Sequence, residues 1–130
     1  MVTMVEVLEH LTDPVSELRS IAERTPTIFI STHLVPTGGL KLDWHYLQPE
    51  TGQHIFFCTP KTLEKLATAL GMSVTSNGRN LHVFHRKPLS AWQRAVIRFQ
   101  QPTWVLGHLG SMFSRRGSLA AADAQSARSM

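Results

Sequence analysis

Apolar residues in the first part of the chain recur at spacings that predict alternating strands and helices. Residues 1–5 read as a strand. The next apolar positions follow the spacing of one helical face: Val15, Leu18, Ile21 and Ala22. This helix should begin at Asp13 and Pro14, because aspartate caps a helix N-terminus and proline suits its first turn. Residues 26–31 form a second β-rich run, and strand, helix and strand in this order predict a βαβ unit with parallel strands.

The middle of the chain predicts a long loop, a helix and a hairpin. Residues 32–54 have no clean periodicity and contain several prolines and glycines, which is typical of a loop, and loops of this length are usually functional. Thr59 and Pro60 are expected to begin a helix that Gly71 ends. Asn77-Gly78 is a strong hairpin signal, and it predicts an antiparallel pair formed by residues 72–76 and 79–86.

The last part of the chain predicts further helices and a frayed end. Ser90 suits the N-cap of a helix that bears Trp92, Val96 and Phe99 and ends at Pro102. Residues 104–113 have the spacing of another amphipathic helix. We therefore expect a folded domain over residues 1–87, a helical extension over residues 88–115 and a disordered tail over residues 116–130.

Composition and charge narrow the class of protein. The 130 residues are 42% apolar, which is enough for one modest core, and no apolar run is long enough to predict a membrane span. The single cysteine, Cys58, fits a reducing cytoplasm. The net charge of +4 is uneven, because residues 86–130 carry seven Lys and Arg against Asp123 alone. We interpret this basic end as solvated charge; contact with phosphate or anionic lipid is the alternative, and a nucleic-acid partner is disfavoured.

Three polar side chains follow the first predicted strand, where ligands bind in open α/β sheets. Glu6 and Glu9 are three residues apart, and Glu6 and His10 are four apart, so all three share one face if the segment is helical. Carboxylates and an imidazole together suit a divalent cation such as Mg, Mn, Fe, Zn or Co. The alternative, that Glu9 and His10 only orient the loop by hydrogen bonds, stays open.

Residues 2–14, V-T-M-V-E-V-L-E-H-L-T-D-P, resemble the fourth-strand segment of class I S-adenosylmethionine (SAM)-dependent methyltransferases. The similar subgroup is typified by quinone-biosynthesis O-methyltransferases and many bacterial relatives. Further segments look like elements of these relatives in the same order: L-D-W-H-Y-L at 42–47, G-Q-H-I-F-F at 52–57, L-H-V-F at 81–84 and R-G-S-L at 116–119.

The resemblance implies an α/β fold, namely the carboxyl-terminal half of a Rossmann-like seven-stranded methyltransferase sheet. Residues 1–87 would supply strands four to seven, with the last pair antiparallel, and helices would follow. The family builds its SAM site mainly on a glycine-rich turn after an earlier strand, and this sequence has no such turn. The resemblance therefore implies that the chain is truncated or encoded by a split gene, or that Met1 is an internal methionine.

The resemblance also assigns roles to individual residues. Val5 matches the position whose backbone lines the cofactor pocket. Glu6, Glu9 and His10 match an E-x-x-E-H set that binds a divalent metal such as Mg in quinone-biosynthesis and small-RNA methyltransferases, and His54 takes the place of a downstream histidine that completes the site. By this resemblance Glu6, His10 and His54 are catalytic, either by holding the metal or by positioning a base.

Other aromatic and imidazole side chains have weaker assignments. Trp44 and Tyr46, in the loop that would cover the acceptor, either stack on a planar acceptor or pack the loop. His33 and His45 have no partner that the sequence identifies. His82 and His85 lie on the last predicted strand, where structural or surface roles are favoured.

The expected function is SAM-dependent methyl transfer to a small-molecule or sugar-linked acceptor. The alternative is a non-catalytic remnant or interaction module that pairs with another chain. If the family's first strand is absent, the apolar strand Val2–Val5 has an open edge that can pair with another chain. We expect a dimer, a complex with a separately encoded amino-terminal half, or poor solubility.

Overall fold

The structure is a computed structural model, and it describes residues 1–99. The predicted end of the last helix at Pro102, the predicted helix over 104–113 and the predicted tail over 116–130 lie outside the described residues. The elements are, in chain order, β1 Val2–Val5, a 3-10 turn at Leu8–His10, α1 Pro14–Arg24, β2 Thr27–Ser31, α2 Pro60–Ala69, β3 Ser73–Ser76, β4 Leu81–His85 and α3 Ala91–Phe99.

The four strands form one mixed sheet in the order β1-β2-β4-β3. β1 and β2 are parallel, with Val2 opposite Ile28, which confirms the predicted βαβ unit. β4 pairs antiparallel with both β2 and β3. The fold is therefore mixed α/β with an antiparallel pair at one side, and the carboxyl ends of β1 and β2 meet at the same edge.

Both early helices begin where local capping signals predict. Asp13 Oδ1 accepts a hydrogen bond from the Ser16 backbone N–H at 3.1 Å, and Pro14 is the first residue of α1. Thr59 and Thr62 cap α2 reciprocally, each side chain accepting from the backbone N–H of the other. These helices cover one face of the sheet, and the core between them contains Leu18, Ala22, Ile28, Ile30, Leu63, Leu66 and Phe84.

The hairpin differs in detail from its prediction. Ser76 pairs with His82, and the Asn77 backbone N–H donates to Leu81 O at 3.0 Å, so Asn77-Gly78 is not the centre of a two-residue turn. The Asn77 side chain accepts the backbone N–H of Arg79 at 2.9 Å and also those of the next two residues. This side-chain bonding stabilises a wider connection, and Arg79 lies in it rather than in a strand.

The predicted helix after Ser90 is present as α3, and its apolar side chains divide between two environments. Ile97 is buried, and α3 packs on β3 and β4. Trp92 is 77% exposed and Phe99 is 86% exposed. Part of the apolar stripe thus faces solvent. Within residues 1–99, no helix is long and apolar enough to cross a membrane.

The loop between β2 and α2 is pinned at its base. Leu34 forms an isolated parallel bridge with Cys58, and the Val35 N–H donates to Cys58 O at 2.8 Å. The Leu34 N–H donates to Arg79 O at 2.8 Å, which fastens the loop to the hairpin as well. The loop therefore begins and ends at fixed positions beside the carboxyl end of β2.

Candidate functional site

The candidate site lies where the chain leaves β1. The condition for a shared helical face of Glu6, Glu9 and His10 is not met, because Glu6 has a positive φ of 51° and only Leu8–His10 forms a 3-10 turn. The Glu6 N–H instead extends the ladder by donating to Ser31 O at 3.0 Å. The sharp turn at Glu6 leaves its own side chain exposed and places Glu9 in the interior, with no exposed surface.

The Tyr46 hydroxyl lies within hydrogen-bond distance of both the Glu6 and the Glu9 carboxylates, which no helix brings together. It lies 2.5 Å from Glu9 Oε1 and 2.9 Å from Glu6 Oε2, with Thr32 Oγ1 at 3.2 Å. Ser31 Oγ donates to the other oxygen of Glu6 at 3.2 Å. Burial raises the pKa of Tyr46 far above its usual range, and the hydrogen bond to Glu9 raises it further. The phenol therefore stays neutral and acts as a hydrogen-bond donor between two acids.

Glu9 has one oxygen without a partner. Its Oε2 is buried and receives no hydrogen bond from any described residue. The Glu9 backbone carbonyl accepts the N–H groups of Ile55 at 2.8 Å and Phe56 at 3.1 Å, which holds this part of the loop against the 3-10 turn. A buried, unpaired carboxylate oxygen is costly, so its presence needs an explanation such as a bound cation.

Two imidazoles lie close to the Glu9 carboxylate, and both have fixed orientations. His10 Nδ1 donates to Gln53 O at 2.9 Å, and His54 Nδ1 donates to Tyr46 O at 2.6 Å. In neutral histidine the second ring nitrogen, Nε2, then keeps a free lone pair. The ring centroids are 4.9 Å apart. Backbone carbonyls that orient histidine rings in this way are typical of metal sites.

Glu9, His10 and His54 form a group that could hold a metal ion. Each offers one ligand atom, and these atoms lie within 4.8 Å of one another. Glu6 is not part of that group, although it reaches Glu9 through Tyr46. The residues present fit a cation, because one oxygen is buried and unpaired and the two imidazoles are already oriented.

Aromatic and imidazole rings pack around the Tyr46 side chain. Its centroid lies 4.5 Å from that of His54, 4.6 Å from that of His33 and 5.4 Å from that of Trp44. Tyr46 is thus a buried part of the loop, whereas Trp44 is half-buried. Sequence reasoning did not identify Thr32 as a contact of the phenol. Its position just after β2, at the ligand-binding edge of a parallel pair, is the signal that could have found it.

Other residues discussed in the sequence analysis lie outside the group of Glu9, His10 and His54. Val5 ends β1 and is 38% exposed at the sheet edge. His82 is fully buried: its Nδ1 accepts from Ser76 Oγ at 2.8 Å, and its Nε2 donates to Thr32 O at 3.0 Å. Burial lowers the pKa of His82 to about 4, so it is a neutral structural residue. Burial also raises the pKa of Cys58 to about 12, which argues against a nucleophilic thiolate.

A comparison with protein families covers the same part of the chain as the site. Residues 1–77 match a family model described as a methyltransferase domain. No curated protein and no solved structure matches the chain. The matched range contains β1, β2, the 3-10 turn and the whole loop, and therefore every residue of the cluster around Tyr46.

Proposed function

This chain belongs to the methyltransferase domain family, and on that premise we propose that it transfers a methyl group from SAM to a small-molecule or sugar-linked acceptor. The reacting groups would lie at the cluster of Glu6, Glu9, His10 and His54. One observation carries this assignment: Glu9, which has a buried and unpaired carboxylate oxygen, lies beside two oriented imidazoles at the carboxyl edge of the parallel strands.

SAM supplies an electrophilic methyl group on a sulfonium when it is bound. Val5 is the residue of this chain that would line its pocket, and its exposure at the end of β1 fits contact with a ligand. Val5 would supply only one wall of that pocket, and the given sequence does not contain the glycine-rich turn typical of the family. Holding the acceptor beside the methyl donor supplies most of the acceleration in such a transfer.

A divalent metal fits the donor set of Glu9, His10 and His54. One carboxylate oxygen with two imidazole nitrogens suits Mn, Fe, Co or Zn better than Mg, which prefers oxygen ligands and water. Such an ion lowers the pKa of a hydroxyl bound to it. Glu6 would then act through Tyr46, by keeping the phenol between the two carboxylates.

The same residues supply acid-base chemistry without a metal. His54 donates its Nδ1–H to Tyr46 O, so its Nε2 is the atom that can accept a proton from an acceptor hydroxyl. His10 has the same arrangement with Gln53 O. Both readings use the same atoms, and they differ in whether activity depends on added metal.

The proposal is tested by SAM binding and by transfer of a labelled methyl group. We expect calorimetry to show SAM binding weaker than micromolar, because the given sequence does not contain the glycine-rich turn on which the family mainly builds its SAM site. At saturating SAM, a panel of hydroxylated acceptors should be labelled. Glu9→Gln and His54→Ala should lose this transfer, whereas Glu17→Gln, on the exposed side of α1, should keep it.

The alternative function is an interaction module without catalysis. The observation that favours it is the sheet edge at β1, which no other described strand covers. Absence of both SAM binding and methyl transfer at millimolar SAM, together with a stable complex formed through β1, would contradict the enzyme and support the module.

A further inference from the structure

We infer that a cavity beside the candidate site binds an oxyanion group, phosphate or carboxylate, carried by the methyl acceptor; this deepens the proposed function and rests on it. The cavity has a volume of about 280 Å³. It lies between the start of the loop, the Trp44-His45 segment and the hairpin connection. Its lining side chains that can meet an anion are His33, His45 and Arg79, with Trp44 as an aromatic wall.

Among the described residues that line the cavity, none is acidic and Arg79 carries a permanent positive charge. The Glu6 and Glu9 carboxylates of the neighbouring cluster act on His33 from outside this lining. The hairpin that contributes Arg79 belongs to a stretch between Glu64 and Asp123 in which the sequence has no acidic residue. Burial lowers the pKa of His33. The Glu6 carboxylate opposes this effect, the neighbouring His45 and Arg79 add smaller lowering effects, and Glu9 opposes them. A bound anion would oppose the lowering of this pKa, because nearby negative charge favours the protonated form of His33.

Arg79 is held in place by its backbone. Its carbonyl accepts the Leu34 N–H at 2.8 Å, and its own N–H donates to Asn77 Oδ1 at 2.9 Å. The two walls of the cavity are therefore fastened to each other. A guanidinium can form two parallel hydrogen bonds to a phosphate or carboxylate, and a fixed backbone reduces the entropy lost when it does so.

The His33 ring links the cavity to the carboxylate cluster, because it lines the cavity and also contacts Tyr46. His33 lines the cavity and stacks against Tyr46 with a centroid separation of 4.6 Å. The Tyr46 hydroxyl contacts Glu6 and Glu9. An acidic acceptor would be repelled by two carboxylates, so it needs a separate place for its negative group. The cavity provides that place beside the reacting end, and Trp44 offers a flat surface for the rest of the acceptor.

The experiment titrates the full chain with inorganic phosphate and, separately, with acetate, in the absence of SAM and metal. Imidazole signals in NMR spectra report the binding. We expect saturable shifts of His33 and His45, which sodium chloride of equal ionic strength does not produce. Arg79→Gln should weaken this binding about tenfold or more, whereas Arg86→Gln, an exposed arginine outside the cavity, should leave it unchanged.

A second variant, Arg79→Lys, and a check of folding complete the experiment. Arg79→Lys keeps the charge without the planar fork, so we expect an affinity between those of the wild type and Arg79→Gln. Both variants retain the backbone hydrogen bonds of residue 79, and circular dichroism checks that each is folded. Equal phosphate affinity in Arg79→Gln and Arg86→Gln, or shifts confined to other histidines, would overturn the inference. Because the titration contains no SAM, such a result would not contradict the proposed methyl transfer. If binding is found, the anion that binds more tightly, phosphate or acetate, identifies the class of oxyanion.

Discussion

The Tyr46 hydroxyl lies 2.5 Å from Glu9 Oε1, although the two residues are 37 positions apart in the chain. The contact joins the long loop to the 3-10 turn after β1. A phenol has one proton to donate, and Glu6 lies on the same hydroxyl at 2.9 Å. The position of the loop therefore depends on one hydroxyl that both carboxylates share.

Replacing Tyr46 with Phe tests this contact. The ring remains, but Glu9, which is completely buried, loses the only side-chain hydrogen bond to its carboxylate among the described residues. We expect a loss of about 1–3 kcal/mol in the free energy of unfolding, measured by urea denaturation. In a Glu9→Leu background the same change should have a smaller effect, because no buried carboxylate remains. An equal loss in both backgrounds would contradict the proposed origin of the effect.

A divalent metal should raise the thermal stability of the chain by mass action if Glu9, His10 and His54 bind it. We expect Mn, Co or Zn to raise the melting temperature measured by differential scanning fluorimetry, with a smaller rise for Mg. His10→Ala should abolish the increment. His45→Ala, an exposed histidine outside the group, should retain it. Identical melting curves with and without each ion would leave His10 and Glu9 as residues that orient the loop.

His82 should make the fold sensitive to acid. The unfolded histidine takes up a proton near pH 6.5, whereas burial holds the folded pKa at about 4, so protonation favours the unfolded chain. This contribution to stability is fully present above pH 6.5 and is lost progressively as the pH falls toward 4. It amounts to about 3 kcal/mol across that window.

Urea denaturation at a series of pH values measures this effect. A His82→Gln variant should be less stable at pH 7 but should lose less of its free energy of unfolding between pH 6.5 and 4. Parallel curves for the variant and the wild type would show that other groups cause the acid sensitivity.

The edge of the sheet at β1 should promote self-association. β1 pairs with β2 on one side, and no described strand lies on the other. Its residues include neither lysine nor proline, the usual means of blocking an edge. Thr3→Lys adds a charge at an exposed position of this strand and should shift sedimentation toward monomer, whereas Ser20→Lys on α1 should not. A monomer at all concentrations, with slow amide exchange along Val2–Val5, would show that the edge is protected.

The starts of the helices could be predicted because their signals are local. Asp13 and Thr59 cap helices with their own side chains, and the following proline fixes the first turn, so neither depends on distant contacts. The two faces of α3 are a different case. Spacing predicts that Trp92 and Phe99 share a stripe, but it cannot tell how much of that stripe the sheet covers, and in the structure both of these side chains remain exposed.

The candidate site could be predicted only in part. Glu9 and His10 occur in one short run, so their proximity follows from the sequence alone. Glu6 departs from the helical spacing because its φ is positive, which no neighbouring residue signals. Tyr46 and His54 come from a loop without periodicity, and their positions depend on hydrogen bonds to atoms of distant residues such as the Glu9 carboxylate and backbone.

The bridge between Leu34 and Cys58 has an evolutionary consequence. A loop whose two ends are bridged to each other can change length or sequence at its tip at little thermodynamic expense. The outer residues, such as the exposed Leu40 and Leu42, are therefore free to diverge without loosening the strands beneath. Selection can thus alter the surface that the tip of the loop presents while the bridged base of the loop stays intact.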